Sequence, residues 1–96
     1  MNEIREIAKE TAERNWRKYA ETEEELLLPE FLTSKNAQMF FRNRSIKIPT
    51  KGVFADFSIV ISNKGHVRLV LDHYPDMDKA QENLEMMSEY FTRMNI

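Results

Sequence analysis

The sequence contains no cysteine, and this absence excludes three kinds of site at once. A disulfide scaffold, a thiol nucleophile and a zinc site built on thiolates all require cysteine side chains. Long apolar runs are absent as well, since no stretch approaches the ~18 residues of a membrane span. The first residues lack the basic-then-apolar order of a signal peptide. We therefore expect a cytoplasmic protein that has no contact with a membrane.

Glycine and proline are scarce, with two glycines and three prolines among 96 residues. This composition leaves no linker, no low-complexity tract and no internal repeat. The length fits one domain and is too short for a separate regulatory unit. We predict that residues 1–96 form a single domain without a deep, enclosed active-site cavity.

Recognisable catalytic motifs are missing too. The sequence has no glycine-rich phosphate loop, no nucleophile elbow and no pair of spaced histidines. A metal or an acid–base pair can be imagined only at Asp72, His73, Asp76 and Asp78. Capping of the following helix explains Asp76 and Asp78, and His73 has no second histidine at the spacing of a metal site. We expect no enzyme activity, no metal and no cofactor.

Two segments show the three- and four-residue spacing of apolar side chains that is typical of an amphipathic helix. The first runs from about 3 to 20, with Asn2 as its N-cap, and the second from about 77 to 94, with Asp76 as its N-cap. The apolar positions are Ile4, Ile7, Ala8, Ala12, Trp16, Tyr19 and Ala20 in the first segment, and Met77, Ala80, Leu84, Met87, Phe91 and Met94 in the second.

Strict alternation of apolar and other residues predicts two strands, over 53–62 and 66–73. The apolar sets stay on one face only if Ile61 lies opposite Val67 and Phe57 opposite Leu71. This register leaves a three-residue loop that ends at Gly65, where a left-handed backbone favours glycine.

A shorter strand over 45–48 is predicted from Ile46 and Ile48, with Ile48 opposite Val53. The predicted fold is therefore α+β: a three-stranded antiparallel meander (45–48, 53–62 and 66–73) with both helices on its apolar face. The stretch that begins at Thr33 or Ser34 and carries Ala37, Phe40 and Phe41 remains open between a brief helix and an edge strand. It is equally open whether the segment 22–43 covers the outer face of the sheet.

The outer sheet face is the first candidate binding surface, because it mixes apolar and charged residues. Its candidate partner-binding residues are Phe54, Asp56, Arg68, Asp72 and Tyr74. The register sets Asp56 opposite Asp72, a like-charged pair that should destabilise the sheet. Such a local conflict is typical of functional sites, although Arg68 is near enough to neutralise it.

A basic segment is the second candidate surface. Residues 31–55 contain five basic residues and no acidic one, whereas acidic residues outnumber basic ones on both sides. Lys35, Arg42, Arg44, Lys47 and Lys51 could bind phosphates, an acidic protein surface, or the protein's own acidic run at 21–25.

These features favour a non-enzymatic binding module that inhibits or bridges a protein partner, as inhibitors, antitoxins, immunity proteins and phage accessory proteins do. The alternative is a nucleic-acid-binding protein that uses residues 35–51. Met86 and Tyr90 widen the apolar stripe of the last helix. A homodimer through that helix is a further hypothesis.

Overall fold

The computed structural model describes residues 3–21, 23–49 and 56–96. These residues form two helices, one 3-10 turn and four strands, which make one antiparallel sheet in the order β1-β2-β3-β4. Within the same residues, no helix is long and apolar enough to cross a membrane. The elements are α1 (Glu3–Trp16), the 3-10 turn (Arg17–Tyr19), β1 (Leu27–Ser34), β2 (Ala37–Arg42), β3 (Phe57–Ser62), β4 (Val67–Leu71) and α2 (Met77–Met94).

The α+β class, both helices and the β3–β4 hairpin are confirmed. Ile61 pairs with Val67 and Phe57 with Leu71, as the alternation requires. Gly65 closes the loop with a φ of 90°, a left-handed conformation that favours glycine. A side chain there would also meet Ile7, since a Cβ added to Gly65 would lie 3.3 Å from Ile7 Cδ1. The predicted N-cap Asn2 lies outside the described residues.

The sheet has four strands rather than three, because residues 27–42 form the antiparallel hairpin β1–β2. The strand predicted over 45–48 is wrong. Ile46 N donates to Asn43 O at 3.1 Å in a turn, and the Ile46 side chain is buried in the core without belonging to a strand. Of the strand predicted over 53–62, residues 57–62 form β3 and Asp56 lies just before it. Residues 53–55, including the predicted partner of Ile48, lie outside the described residues.

The two helices lie on opposite faces of the sheet, so their predicted placement on one face is wrong. Ala8 and Trp16 of α1 pack with Ile59 of β3 in one apolar cluster. Leu84 of α2 packs with the neighbouring Val60 in a second cluster. Successive strand residues point to opposite faces, so these two clusters lie on opposite sides. The fold is a helix–sheet–helix arrangement in three layers.

Strand β2 shows most clearly why both faces need a cover. Phe40 belongs to the α1 cluster, whereas Met39 and Phe41 belong to the α2 cluster, and all three side chains are fully buried. The buried polar residues of β3 find partners on the α2 side: Ser62 Oγ donates to Ile96 O at 2.6 Å. The face predicted to be an outer surface is therefore interior along much of its length.

The N-cap of α2 offers a test of local structure. Asp76 accepts a hydrogen bond from Lys79 N at 3.1 Å, which satisfies one of the free N–H groups of the first turn. We expect Asp76→Ala to lower the free energy of unfolding by about 1 kcal/mol, and the melting temperature by roughly 4–8 °C. Urea and thermal unfolding followed by circular dichroism measure both. The exposed Glu89→Ala is the control, with a change within about 0.5 kcal/mol. Equal losses in the two variants would contradict the capping role.

Candidate functional site

Residues from both predicted surfaces meet at one end of the sheet, where β2 ends, β3 begins and β4 ends. We call Arg42, Arg44, Asp56, Asp72 and Tyr74 the sheet-end cluster. Its two ion pairs each join a residue of the basic segment to a residue of the predicted sheet surface. Arg42 Nη2 lies 3.1 Å from Asp56 Oδ1, and Arg44 Nη1 lies 2.9 Å from Asp72 Oδ2.

Asp72 is the buried anchor of the cluster, with a side chain only 4% exposed. Besides Arg44, its carboxylate accepts hydrogen bonds from Ser58 Oγ at 3.0 Å and from Tyr74 N at 3.2 Å. A buried carboxylate requires such partners, because desolvation strongly penalises an unpaired charge. Asp56 differs, since its side chain is 67% exposed and reaches solvent beside Arg42.

Tyr74 holds the cluster against the α2 layer. The Arg44 guanidinium carbon lies 4.7 Å from the centre of the Tyr74 ring, and the Phe41 ring packs against it at 5.4 Å. The Tyr74 hydroxyl donates to Glu30 Oε1 at 3.2 Å. Burial raises the pKa of this hydroxyl above its ordinary value, and the hydrogen bond to the Glu30 carboxylate raises that pKa further. Tyr74 therefore remains a neutral donor at physiological pH.

Arg42 is a buried arginine at the base of the cluster. Its Nη1 donates to Ile46 O at 2.5 Å, so the guanidinium also fixes the turn that follows β2. Two guanidinium nitrogens in the cluster, Arg42 Nε and Arg44 Nη2, are buried and have no acceptor among the residues that the structure describes. The two arginines line a depression together with Ile46, Lys47, Ile48, Pro49 and Asp56.

The remaining predicted residues lie elsewhere. Arg68 contacts His66 Nε2 and lies over the Tyr90 ring at 5.8 Å. The prediction that Arg68 neutralises Asp56 and Asp72 is therefore wrong, because Arg42 and Arg44 form the ion pairs with these two carboxylates. Lys35 lies in the turn between β1 and β2, at the opposite end of the sheet. Phe54 and Lys51 fall outside the described residues.

The junction between β4 and α2 shows a structural role for its histidine. Asn83 Nδ2 lies 2.9 Å from His73 Nε2, which ties the junction to α2. Within residues 3–21, 23–49 and 56–96, no group of three or more His, Asp or Glu side chains is arranged to hold a metal ion.

Two contributors to the cluster were missed by sequence reasoning: Ser58 and Glu30. The sequence around Ser58 and around Glu30 does not indicate these roles, because each residue acts through a partner more than ten residues away in the chain. The one signal in the sequence was the like-charged pair of Asp56 and Asp72, and both residues belong to the cluster.

No model of a known protein family matches the chain, and neither curated proteins nor solved structures show a significant similarity to it.

Proposed function

We propose that this protein is a non-enzymatic binding module that inhibits or bridges a protein partner, and that it does so through the sheet-end cluster. The observation that carries the proposal is that two buried guanidinium nitrogens, Arg42 Nε and Arg44 Nη2, have no acceptor among the residues that the structure describes. Buried donors without acceptors are costly, and a carboxylate or carbonyl oxygen of a partner would satisfy them.

The exposed chemistry around these nitrogens also suits a protein partner. Exposed Asp56 and Lys47 carry opposite charges beside the partly exposed Arg44 and Tyr74. Protein interfaces are enriched in tyrosine and arginine and have a polar rim. A surface with both positive and negative charges favours specific binding, because a partner must present a complementary charge to each of them.

Nucleic-acid binding through residues 35–51 is the rival function, and two features speak against it. Arg42 and Arg44 are each neutralised by a carboxylate of the same chain, so the cluster has no surplus positive charge for phosphates. Lys35 is separated from Arg42 by the whole of β2, about 20 Å at the rise of an extended strand. The described basic residues therefore do not form one continuous patch.

The mode of action that we propose is occlusion or bridging, without chemistry on the partner. As part of the same proposal we expect the protein to act in the cytoplasm, where a chain without cysteine needs no disulfides. Self-association is a second proposal, to which the large exposed apolar surfaces of Met86 and Met94 of α2 contribute.

Two exposed lysines at opposite ends of the sheet give a matched test. The partner is first captured from the source cells with the full chain, and its affinity is then measured by calorimetry. We expect Lys47→Ala, next to the sheet-end cluster, to weaken binding about tenfold, or ~1.4 kcal/mol. We expect Lys35→Ala, at the β1–β2 turn, to leave the affinity within a factor of about two.

The same variants distinguish the rival function. Fluorescence anisotropy with generic duplex DNA and with single-stranded RNA should show only weak association, with a dissociation constant above about 1 μM at physiological salt. Tighter binding that falls steeply with salt, and that both lysine variants reduce equally, would favour nucleic acid and contradict the proposal.

A further inference from the structure

Strand β4 leaves a row of backbone groups open at one edge of the sheet. Among the described residues, only β3 pairs with it. Ser62 N donates to His66 O at 2.9 Å, which fixes the alternation of the ladder. His66, Arg68 and Val70 therefore direct their N–H and C=O groups toward β3. Val67, Leu69 and Leu71 direct theirs away from the sheet.

The two edges of the sheet differ in how they discourage pairing. At the other edge, β1 contains Pro29, which lacks an N–H group, next to the exposed Glu30. Its register with β2 also shifts between Leu27 and Phe31. Proline, charge and irregular register are the usual protections of an edge strand. β4, with the sequence Val-Arg-Leu-Val-Leu, has no proline and pairs with β3 in unbroken register.

Apolar side chains lie on both sides of this open edge. On the α1 side, Leu69 is 37% exposed and Leu71 is 65% exposed. On the α2 side, Tyr90 lies next to Arg68. Met86 and Met94, four residues before and after Tyr90, share its side of the helix and are mostly exposed. The open edge is therefore flanked by apolar surface on both faces of the sheet.

We propose that a second copy of this chain pairs with β4, strand to strand and antiparallel, about a two-fold axis at Leu69. In this register each Leu69 faces its counterpart, and Val67 faces Leu71 of the other copy. These are the residues whose N–H and C=O groups point outward, so the backbone hydrogen bonds are satisfied on both sides. The two sheets become one sheet of eight strands.

Charge complementarity favours a second copy over another extended segment. The exposed Lys64 precedes β4, whereas the exposed Asp76 and Asp78 follow it. Antiparallel self-pairing brings the basic end of each strand toward the acidic end of the other. The exposed leucines of the two copies meet on one face, while Tyr90 and its neighbouring methionines approach on the other. A homodimer thus uses the β4 edge, and α2 contributes only its flank.

The oligomeric state of the full chain tests this pairing. Sedimentation equilibrium at about 100 μM should give twice the 11.4 kDa mass of one chain. Leu69→Lys sets two like charges against each other at the two-fold axis, so we expect the mass of one chain. Thr33→Lys, on the β1 edge, is the matched control and should remain dimeric. Circular dichroism verifies that each variant is folded.

Cross-linking gives a second measurement that does not depend on disrupting the dimer. Because the chain has no cysteine, Leu69→Cys can form a disulfide only with another copy. Facing residues of a hydrogen-bonded pair lie about 5.5 Å apart at Cα, within the range of disulfides. We expect mild oxidation to link most of the Leu69→Cys protein and little of the Thr33→Cys protein.

Three outcomes would overturn the proposal. A single-chain mass for the unmodified protein at 100 μM would exclude the dimer. Dissociation by Met86→Lys together with a dimeric Leu69→Lys variant would assign self-association to the outer face of α2. Equal disulfide yields at positions 69 and 33 would show that the cross-links arise from random collisions. None of these results depends on the partner bound at the sheet-end cluster.

Discussion

Replacement of Trp16 by alanine is expected to lower the free energy of unfolding by about 3–5 kcal/mol, the largest effect of any substitution considered. Trp16 is fully buried and is the largest side chain of the α1 layer. Its ring stacks on Phe57 with centroids 5.0 Å apart and planes 27° apart. Truncation removes this contact and leaves a cavity between α1 and β3. Urea unfolding followed by tryptophan-independent circular dichroism measures the loss.

Double-mutant cycles extend this experiment to the placement of the helices. Milder replacements are required, because two large truncations could exceed a total stability of about 5–15 kcal/mol. Trp16→Phe and Phe57→Leu should couple by roughly 0.5–1.5 kcal/mol, since the two rings are in contact. Trp16→Phe and Leu84→Ala should be additive within about 0.5 kcal/mol, because Leu84 lies on the other face of the sheet. Strong coupling of Trp16 with Leu84 would contradict the three-layer arrangement.

The features that the sequence predicted correctly have local causes. The β3–β4 register follows from alternation and from the conformational freedom of Gly65, both of which can be read within one hairpin. The bounds of α2 follow from the spacing of its apolar residues and from the Asp76 cap. Each of these signals involves residues that are near one another in the chain.

The β1–β2 hairpin could not be predicted in the same way, because its strands lack clean alternation. β2 buries Phe40 on one face and Met39 and Phe41 on the other, so its sequence is an apolar run. A strand covered on both faces loses the period of two that identifies a half-exposed strand. Pro29 further weakens the strand signal of β1.

The placement of both helices on one face failed for a related reason. One sheet face mixed apolar residues with charged ones such as Asp72, so the uniformly apolar face was predicted to carry both helices. In the structure the polar groups of Ser58, Asp72 and Tyr74 satisfy one another beneath α2, so the face is buried without an unpaired carboxylate. A buried hydrogen-bonded network cannot be distinguished from a solvated face by composition alone.

The sequence placed Asp56 and Asp72 together at one end of the sheet, but it did not identify their ion-pair partners. The like-charged Asp56 and Asp72 marked the site, because the hairpin register placed them together. Their neutralisation by Arg42 and Arg44 depends on where β2 ends, which the sequence left open. Long-range pairing of this kind is decided by the strand order, which no local pattern contains.

The cluster leads to the second large expected effect, which concerns Asp72. We expect Asp72→Ala to lower the free energy of unfolding by about 3 kcal/mol. The substitution removes a buried carboxylate and leaves Arg44 Nη1, Ser58 Oγ and Tyr74 N without their acceptor. Exposed ion pairs contribute far less, so Glu13→Ala, which removes the exposed partner of Arg17, should cost less than about 1 kcal/mol. Urea unfolding of both variants gives the comparison.

A double variant separates the pairing of Asp72 with Arg44 from the space that its side chain fills. Loss of one partner leaves the other charge uncompensated, whereas loss of both removes that penalty. Arg44→Ala/Asp72→Ala should therefore be more stable than the sum of the two single losses implies, by roughly 1–2 kcal/mol. Simple additivity would mean that Asp72 stabilises the fold through Ser58 and the backbone of Tyr74 alone.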